Sequence, residues 1–164
     1  MNLAVRFFLW CARNREPLVI WQSRGAHPGS PVNDKPYLTR YYITPHVHRG
    51  FGFNFYLHHF QQSDDERAMH DHPRCTLGII LDGAYREWLP WDMKHPEALG
   101  ATYKMRRAWI PVLRSPTWTH RVELLDNADV WTLFITGPHV REWGFWCPKG
   151  WKHNREFESD GGCE

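Results

Sequence analysis

Residues Phe53 to Gly83 read FNFYLHHFQQSDDERAMHDHPRCTLGIILDG, and the fold turns on how His70-Asp71-His72 sits in that run. On an extended segment side chains alternate faces, so His70 and His72 point the same way and Asp71 points the other. Two neutral imidazoles placed like that reach one divalent cation. Thr76-Leu77-Gly78-Ile79-Ile80-Leu81 follows as a short apolar run with the length of a buried strand. It ends in Asp82-Gly83, a turn dipeptide from which Ala84 to Trp88 is expected to pair back as a hairpin arm. The pattern points to a metal site at the mouth of a β-barrel.

Strand patterns continue on both sides. Upstream, Phe53 to Phe60 alternates Phe53, Phe55, Leu57 and His59 against Asn54, Tyr56, His58 and Phe60. Only one of His58 and His59 can face inward, and both are expected to be capped or solvated. Tyr37 to Ile43 is aromatic and β-branched, and Leu18 to Gln22 is a short strand. Gly25 to Pro36 is a loop, and His46 and His48 lie in a turn region as solvated histidines. Leu3, Phe7, Trp10 and Cys11 share a helical face, which predicts an amphipathic helix over 2–14 covering an edge or end of the sheet. Downstream, residues 89–101 form an inserted loop, and Tyr103 to Ile110 is a strand that breaks at Pro111. His120, Val122 and Leu124 share an inward face, Val130 to Thr136 is a buried strand, and Arg141 to Trp146 is an edge strand. The cluster from Trp143 to Trp151 covers a sheet edge, and residues 158–164 form a flexible tail. Many short strands between turns predict an all-β sandwich or barrel.

At 164 residues the chain is one domain, with an N-terminal helix and loop over 1–36 and a barrel over 37–157. A net charge of +2 gives no case for nucleic acid as a partner. Ten Trp, six Tyr and nine Phe suit a thick β core. No apolar run approaches the ~20 residues of a membrane span. Cys11, Cys75, Cys147 and Cys163 lie far apart with no C-x-x-C pair, which points to reduced thiols in a cytoplasmic protein; Cys75 is expected to be buried and inert.

These residues resemble the cupin superfamily. Its first motif runs Gly, five residues, H-x-H, three or four residues, Glu, six residues, Gly; its second is built on P-x-G-x-x-H-x-x-x-N. His70, His72 and Gly83 match the first, and His120, following Ser115-Pro116, stands where the second has its histidine. The phrases from Ala68 to Pro73, from Trp131 to Pro138 and from Arg141 to Trp146, together with Gly150-Trp151, look like a group of bacterial and phage cupin-like proteins. The resemblance implies a double-stranded β-helix, the cupin jelly-roll barrel, with a short N-terminal helix. It departs at three positions: the motif's opening Gly is Asp64, its Glu is Thr76 and the second motif's Asn is Leu124.

With that Glu absent, the implied ligand set is His70, His72 and His120, similar to the three-histidine site of thiol dioxygenases. Glu66, Glu87 and His59 are candidates for an added ligand or for orienting a ligand histidine. Phe55, Leu57 and Tyr85 are expected to wall the pocket. The expected cofactor is a divalent transition metal, Fe(II) before Zn, Ni or Mn. The expected reaction is a dioxygenation of a small organic molecule. The competing class is a non-redox or non-catalytic cupin: a sugar or small-ligand binder, an isomerase, or a phage or host-interaction module. No nucleic acid or membrane partner is expected, and the assembly considered is a homodimer.

Overall fold

Among the described residues, turn residues divide the chain into twelve strands and two α-helices. The computed structural model describes residues 1–21, 35–45, 52–64, 68–96 and 100–163. In order these are α1 (Leu3–Ala12), β1 (Leu18–Ile20), β2 (Leu38–Tyr42), β3 (Asn54–Phe60), β4 (Met69–His70), β5 (Thr76–Asp82) and β6 (Ala84–Pro90). Then come β7 (Ala101–Arg107), β8 (Pro111–Arg114), β9 (Arg121–Leu124), β10 (Val130–Thr136), β11 (Gly144–Cys147), β12 (Gly150–His153) and α2 (Asn154–Ser159). One sheet has six strands in the order β1-β2-β3-β10-β5-β8. Two three-stranded sheets, β7-β6-β9 and β12-β11-β4, are joined by the antiparallel bridge between His70 and His120. The all-β expectation holds, with the short N-terminal helix in place.

The apolar core shows how the layers meet. Ile80 and Val130 of the large sheet pack against Tyr85, Val122 and Leu124 from β6 and β9, so these side chains fill one end of the interior. The opposite face of the large sheet buries Leu57 and Leu81 under Val5 of α1. Phe8 and Leu9 pack there with Val5, whereas Leu3, Phe7 and Trp10 are exposed. The helix forms as expected, but its buried stripe is the other one. It covers a sheet face rather than an edge, because β3 and β5 present apolar side chains on both faces.

Asp82-Gly83 is a corner, not a hairpin. β5 pairs with β10 and β8, while β6 pairs with β7 and β9 in the opposing layer. Gly83 adopts φ 89°, and a Cβ there would come within 3.0 Å of the Asp129 carbonyl oxygen. The glycine therefore lets the chain cross between layers beside β10. Pro111 opens β8 instead of ending a strand; the break falls one turn earlier, where Trp109 has φ 69°.

The C-terminal region is tied down. β11 pairs with β12 on one side and β4 on the other, so the expected edge strand over Arg141 to Trp146 instead starts at Gly144 and is the central strand of its sheet, because β4 takes up its second side. The tail is not free: Cys147 and Cys163 form a disulfide, and Gly162 is bonded through its N–H to Phe157 and through its carbonyl to Lys152. That pairing corrects the reading of four reduced thiols, since a covalent partner 16 residues away leaves no spacing signature. Cys75 is exposed rather than buried. The expected loop over 25–36 and the His46 and His48 turn lie largely outside the described residues. No described helix is long and apolar enough to cross a membrane.

Candidate metal centre

Three backbone relationships bring the histidines together. Period-two alternation sends His70 and His72 to one side. His70 and His120 exchange both backbone hydrogen bonds, N to O at 2.9 Å and 3.0 Å, so their side chains leave the same face. The His72 N–H donates to the Pro116 carbonyl at 3.1 Å, which holds the chain just past β4 against the segment leading to His120. The three ring centroids stand 5.1, 4.9 and 5.0 Å apart, a near-equilateral triangle. One ring nitrogen from each lies within 4.8 Å of the other two.

Carboxylates stand behind two of the three rings. Glu87 Oε1 accepts from His120 Nδ1 at 2.8 Å and Arg114 Nε at 2.7 Å, while Trp118 Nε1 donates at 3.2 Å. Arg106 donates to Glu87 Oε2. Burial pushes the Glu87 carboxyl up, but the His120 bond and the Arg114 guanidinium outweigh it and hold it well below the usual carboxylate range. An ionised carboxylate only accepts, so His120 carries its hydrogen on Nδ1 and turns the Nε2 lone pair to the triangle. Asp64 Oδ2 lies 3.8 Å from His70 Nδ1 and accepts from the Val122 N–H at 2.6 Å. Tyr37 donates its hydroxyl to the other oxygen.

The imidazoles are suited to a cation. Burial lowers His70 to about 4 and takes His72 well below its ordinary value, so both are neutral near pH 7. His72 Nε2 and His120 Nε2 approach to 2.8 Å. With all three ring nitrogens within 4.8 Å of one another, His70, His72 and His120 are the residues that would hold such an ion. Three neutral nitrogen donors of borderline softness fit a divalent transition metal.

The other anticipated residues divide. Glu87 is fully buried beside His120, where it can orient that ring. Tyr85 lies inside the barrel, within the apolar core, and its hydroxyl accepts from Arg114 Nη2 at 3.1 Å. Leu57 and Phe55 belong to the opposite face of β3, because α1 buries Leu57; Tyr56 and His58 face the interior instead. His59 shares that outer face, bonding Asp129 at 2.8 Å and stacking on Trp131, so it is not near the triad. His58 is buried, not solvated, and Arg40 Nε donates to its Nε2 at 3.0 Å. Glu66 lies outside the described residues. Asp71 faces away from the triangle and accepts from Arg141 at 2.7 Å, the Gly144 N–H at 2.9 Å and Trp151 at 3.0 Å, fastening the β11–β12 hairpin.

Arg114, Arg106, Trp118 and the support role of Asp64 escaped the sequence reading. Period-two counting through Tyr85 and Glu87 finds an inward carboxylate, but its partners come from three other segments. The one local sign was an arginine directly before Ser115-Pro116.

No family model matches the sequence, and no curated protein matches it. Solved structures do. The chain is similar to an FeII HppE in complex with substrate, at 11% identity and TM-score 0.51, covering 76% of this chain and 57% of that one. It is also similar to a candidate mannose-6-phosphate isomerase from Ralstonia eutropha, at 13% identity and TM-score 0.50, covering 68% and 93%. An RmlC-like cupin protein from the same organism aligns at 13% identity and TM-score 0.46, over 88% and 78%. At these identities the likeness is one of fold.

Proposed function

We propose that this chain is a double-stranded β-helix of the cupin type and that His70, His72 and His120 hold a divalent transition metal on it, at which a small organic molecule reacts. The observation that carries the proposal is the convergence of three ring nitrogens within 4.8 Å, with carboxylates behind two of the rings. Bound there, Fe(II) supplies reactivity toward dioxygen, and zinc, nickel or manganese supplies Lewis acidity. Three neutral ligands leave the metal's charge uncompensated, which favours a substrate that coordinates it directly. Our reading is an Fe(II) dioxygenase of small thiols, diketones or enol acids.

The protein's own contribution is positioning. Glu87 holds the His120 tautomer, Asp64 stands against His70, and Tyr85 and Arg114 form the wall beside Glu87. The alternative reading is a non-redox cupin that binds or isomerises a small ligand, or an interaction module. Structures similar in fold at 11–13% identity do not choose between them. A cytoplasmic site of action, without nucleic acid or membrane partners, remains part of the proposal; the Cys147–Cys163 disulfide weighs against a strongly reducing compartment.

Elemental analysis of untagged protein is expected to find about one transition metal per chain, and His72→Ala is expected to strip most of it. An oxygen electrode run on the Fe(II) protein with a panel of thiols, diketones and enol acids then tests the reaction. Uptake no higher than that of His72→Ala, with zinc as the native metal, ends the redox reading and leaves the binding or isomerase one.

A further inference from the structure

The interior face that carries Arg114 also carries an unpaired hydroxyl: Thr76 is 3% exposed, and among the described residues its Oγ1 has no hydrogen-bond partner. A buried hydroxyl left unsatisfied is costly, so such an atom in a native interior points to something that meets it. Directly across the β5–β8 pair stands Arg114, 2% exposed, on the same face. Its Nε and Nη2 are committed to Glu87 and Tyr85. Its Nη1 lies over Gly78, where a Cβ would come within 3.2 Å of it, and among the described residues it donates to no acceptor. Glycine at 78 thus makes room for the guanidinium on the inner face.

We infer that Thr76 Oγ1 and Arg114 Nη1 form an anion subsite beside the triad, which receives the carboxylate, phosphate or phosphonate oxygen of a small acidic ligand. Position supports it, because Arg114 reaches His120 through one carboxylate, Glu87. Charge supports it as well. The buried carboxylates at the triad, Glu87 and Asp64, are matched in number by the guanidiniums of Arg114 and Arg106. A divalent ion held there adds positive charge that no described ligand cancels, in surroundings where an uncompensated charge is expensive. An acidic group spanning the ion and the Thr76–Arg114 pair removes both deficits. A neutral polyol meets the hydroxyl but leaves the charge.

The inference takes its location from the metal reading, while its donors belong to the chain alone, so the two can fail separately. Metal-free and zinc-loaded protein would be titrated by calorimetry with acetate, inorganic phosphate and glycerol. At least one anion is expected to bind both forms, more tightly with zinc, and glycerol is expected to give no binding heat. Acetate alone assigns carboxylic acids, and phosphate alone assigns phosphate or phosphonate ligands. Thr76→Val keeps the shape and removes the hydroxyl; it is expected to weaken the anion about tenfold or more, the worth of one hydrogen bond to a charged group. Its zinc content should be unchanged and its melting temperature no lower. Arg114→Lys, which keeps the charge without Nη1, is expected to weaken the anion at least as much, and Thr76→Val decides the question if the lysine variant does not fold. Equal binding of glycerol and anions, binding of neither anion, an unchanged affinity in Thr76→Val, or loss of zinc by that variant overturns the subsite. Wild-type protein that takes no zinc yet binds acetate through Thr76 supports the subsite and removes the metal reading instead.

Discussion

The two ends of the barrel interior share β5, β6 and β10 and are similarly buried, yet they are held together differently. At one end Ile80, Tyr85, Val122, Leu124 and Val130 pack as an apolar cluster. At the other, Thr76, Glu87 and Thr136 come from the same strands and His120 directly precedes β9, while Arg114 and Asn54 are added from β8 and β3, and none is more than 6% exposed. The first end gains stability from removing apolar area from water. The second buries charge and hydroxyls that gain little net stability even when paired, and Thr76 Oγ1 stays unpaired among the described residues. Foldability is thus concentrated at the apolar end and chemistry at the polar one. A single backbone serves both because β5, β6 and β10 each run from one end to the other.

The contrast can be broken most forcefully at Glu87. Glu87→Ala strands Arg114, Arg106 and the His120 Nδ1–H in the interior, and should cost about 3–5 kcal/mol in chemical denaturation. Glu87→Gln keeps an acceptor and should fold, with metal affinity about 10–100-fold weaker because the His120 tautomer is no longer fixed. A destabilisation under about 1 kcal/mol for the alanine variant would show that the network is not a structural hub. At the apolar end, Leu124→Ala should cost about 2–4 kcal/mol by leaving a cavity, with metal content unchanged at temperatures where the variant stays folded. Loss of metal from folded Leu124→Ala would mean that the two ends are not separable.

Acid should act on the polar end. An unfolded imidazole titrates near 6.5, whereas burial keeps His70 neutral down to about 4. Between those values the unfolded chain binds a proton that the folded chain does not. The metal-free fold should therefore hold its full stability above pH 6.5 and lose roughly 2–3 kcal/mol from His70 alone as pH falls to 4. Denaturation curves at pH 7, 5.5 and 4.5 measure this, and His70→Ala should flatten the dependence. The smallest effect is expected at Thr132, on the same inner face, whose Oγ1 is also buried and has no partner among the described residues. Thr132→Val should raise stability by about 1 kcal/mol, since it removes an unmet hydroxyl at constant shape. A clear loss would reveal a partner for that hydroxyl.

Legibility followed the range of the forces involved. The H-x-H pair, the inward His120 and the alternation that turns Tyr85 and Glu87 to one side are local, since a strand's pleat assigns neighbours to faces whatever it packs against. Gly83 was legible as a required glycine but not as a corner, because an Asp-Gly turn says nothing about which sheet receives the next strand. For β3 and α1 the apolar residues lie on two faces, so periodicity could not tell which face is interior. The choice was made when Val5 met Leu57 and Leu81. Phe55, Leu57 and His59 were therefore placed on the wrong side of the barrel wall.

By itself, then, the amino-acid sequence determined a β-rich chain carrying three histidines at spacings suited to one ion, because residue type and pleat act over a few positions. Tertiary structure alone decided that His70 and His120 form the bridge joining two small sheets, and that Glu87 gathers Arg106, Arg114, Trp118 and His120. It also decided that Cys147 finds Cys163, and that Thr76 faces Arg114 across a strand pair. The physical reason is that each of these contacts joins segments whose registers are set by burying the whole sheet. No local preference encodes which distant residue will stand opposite.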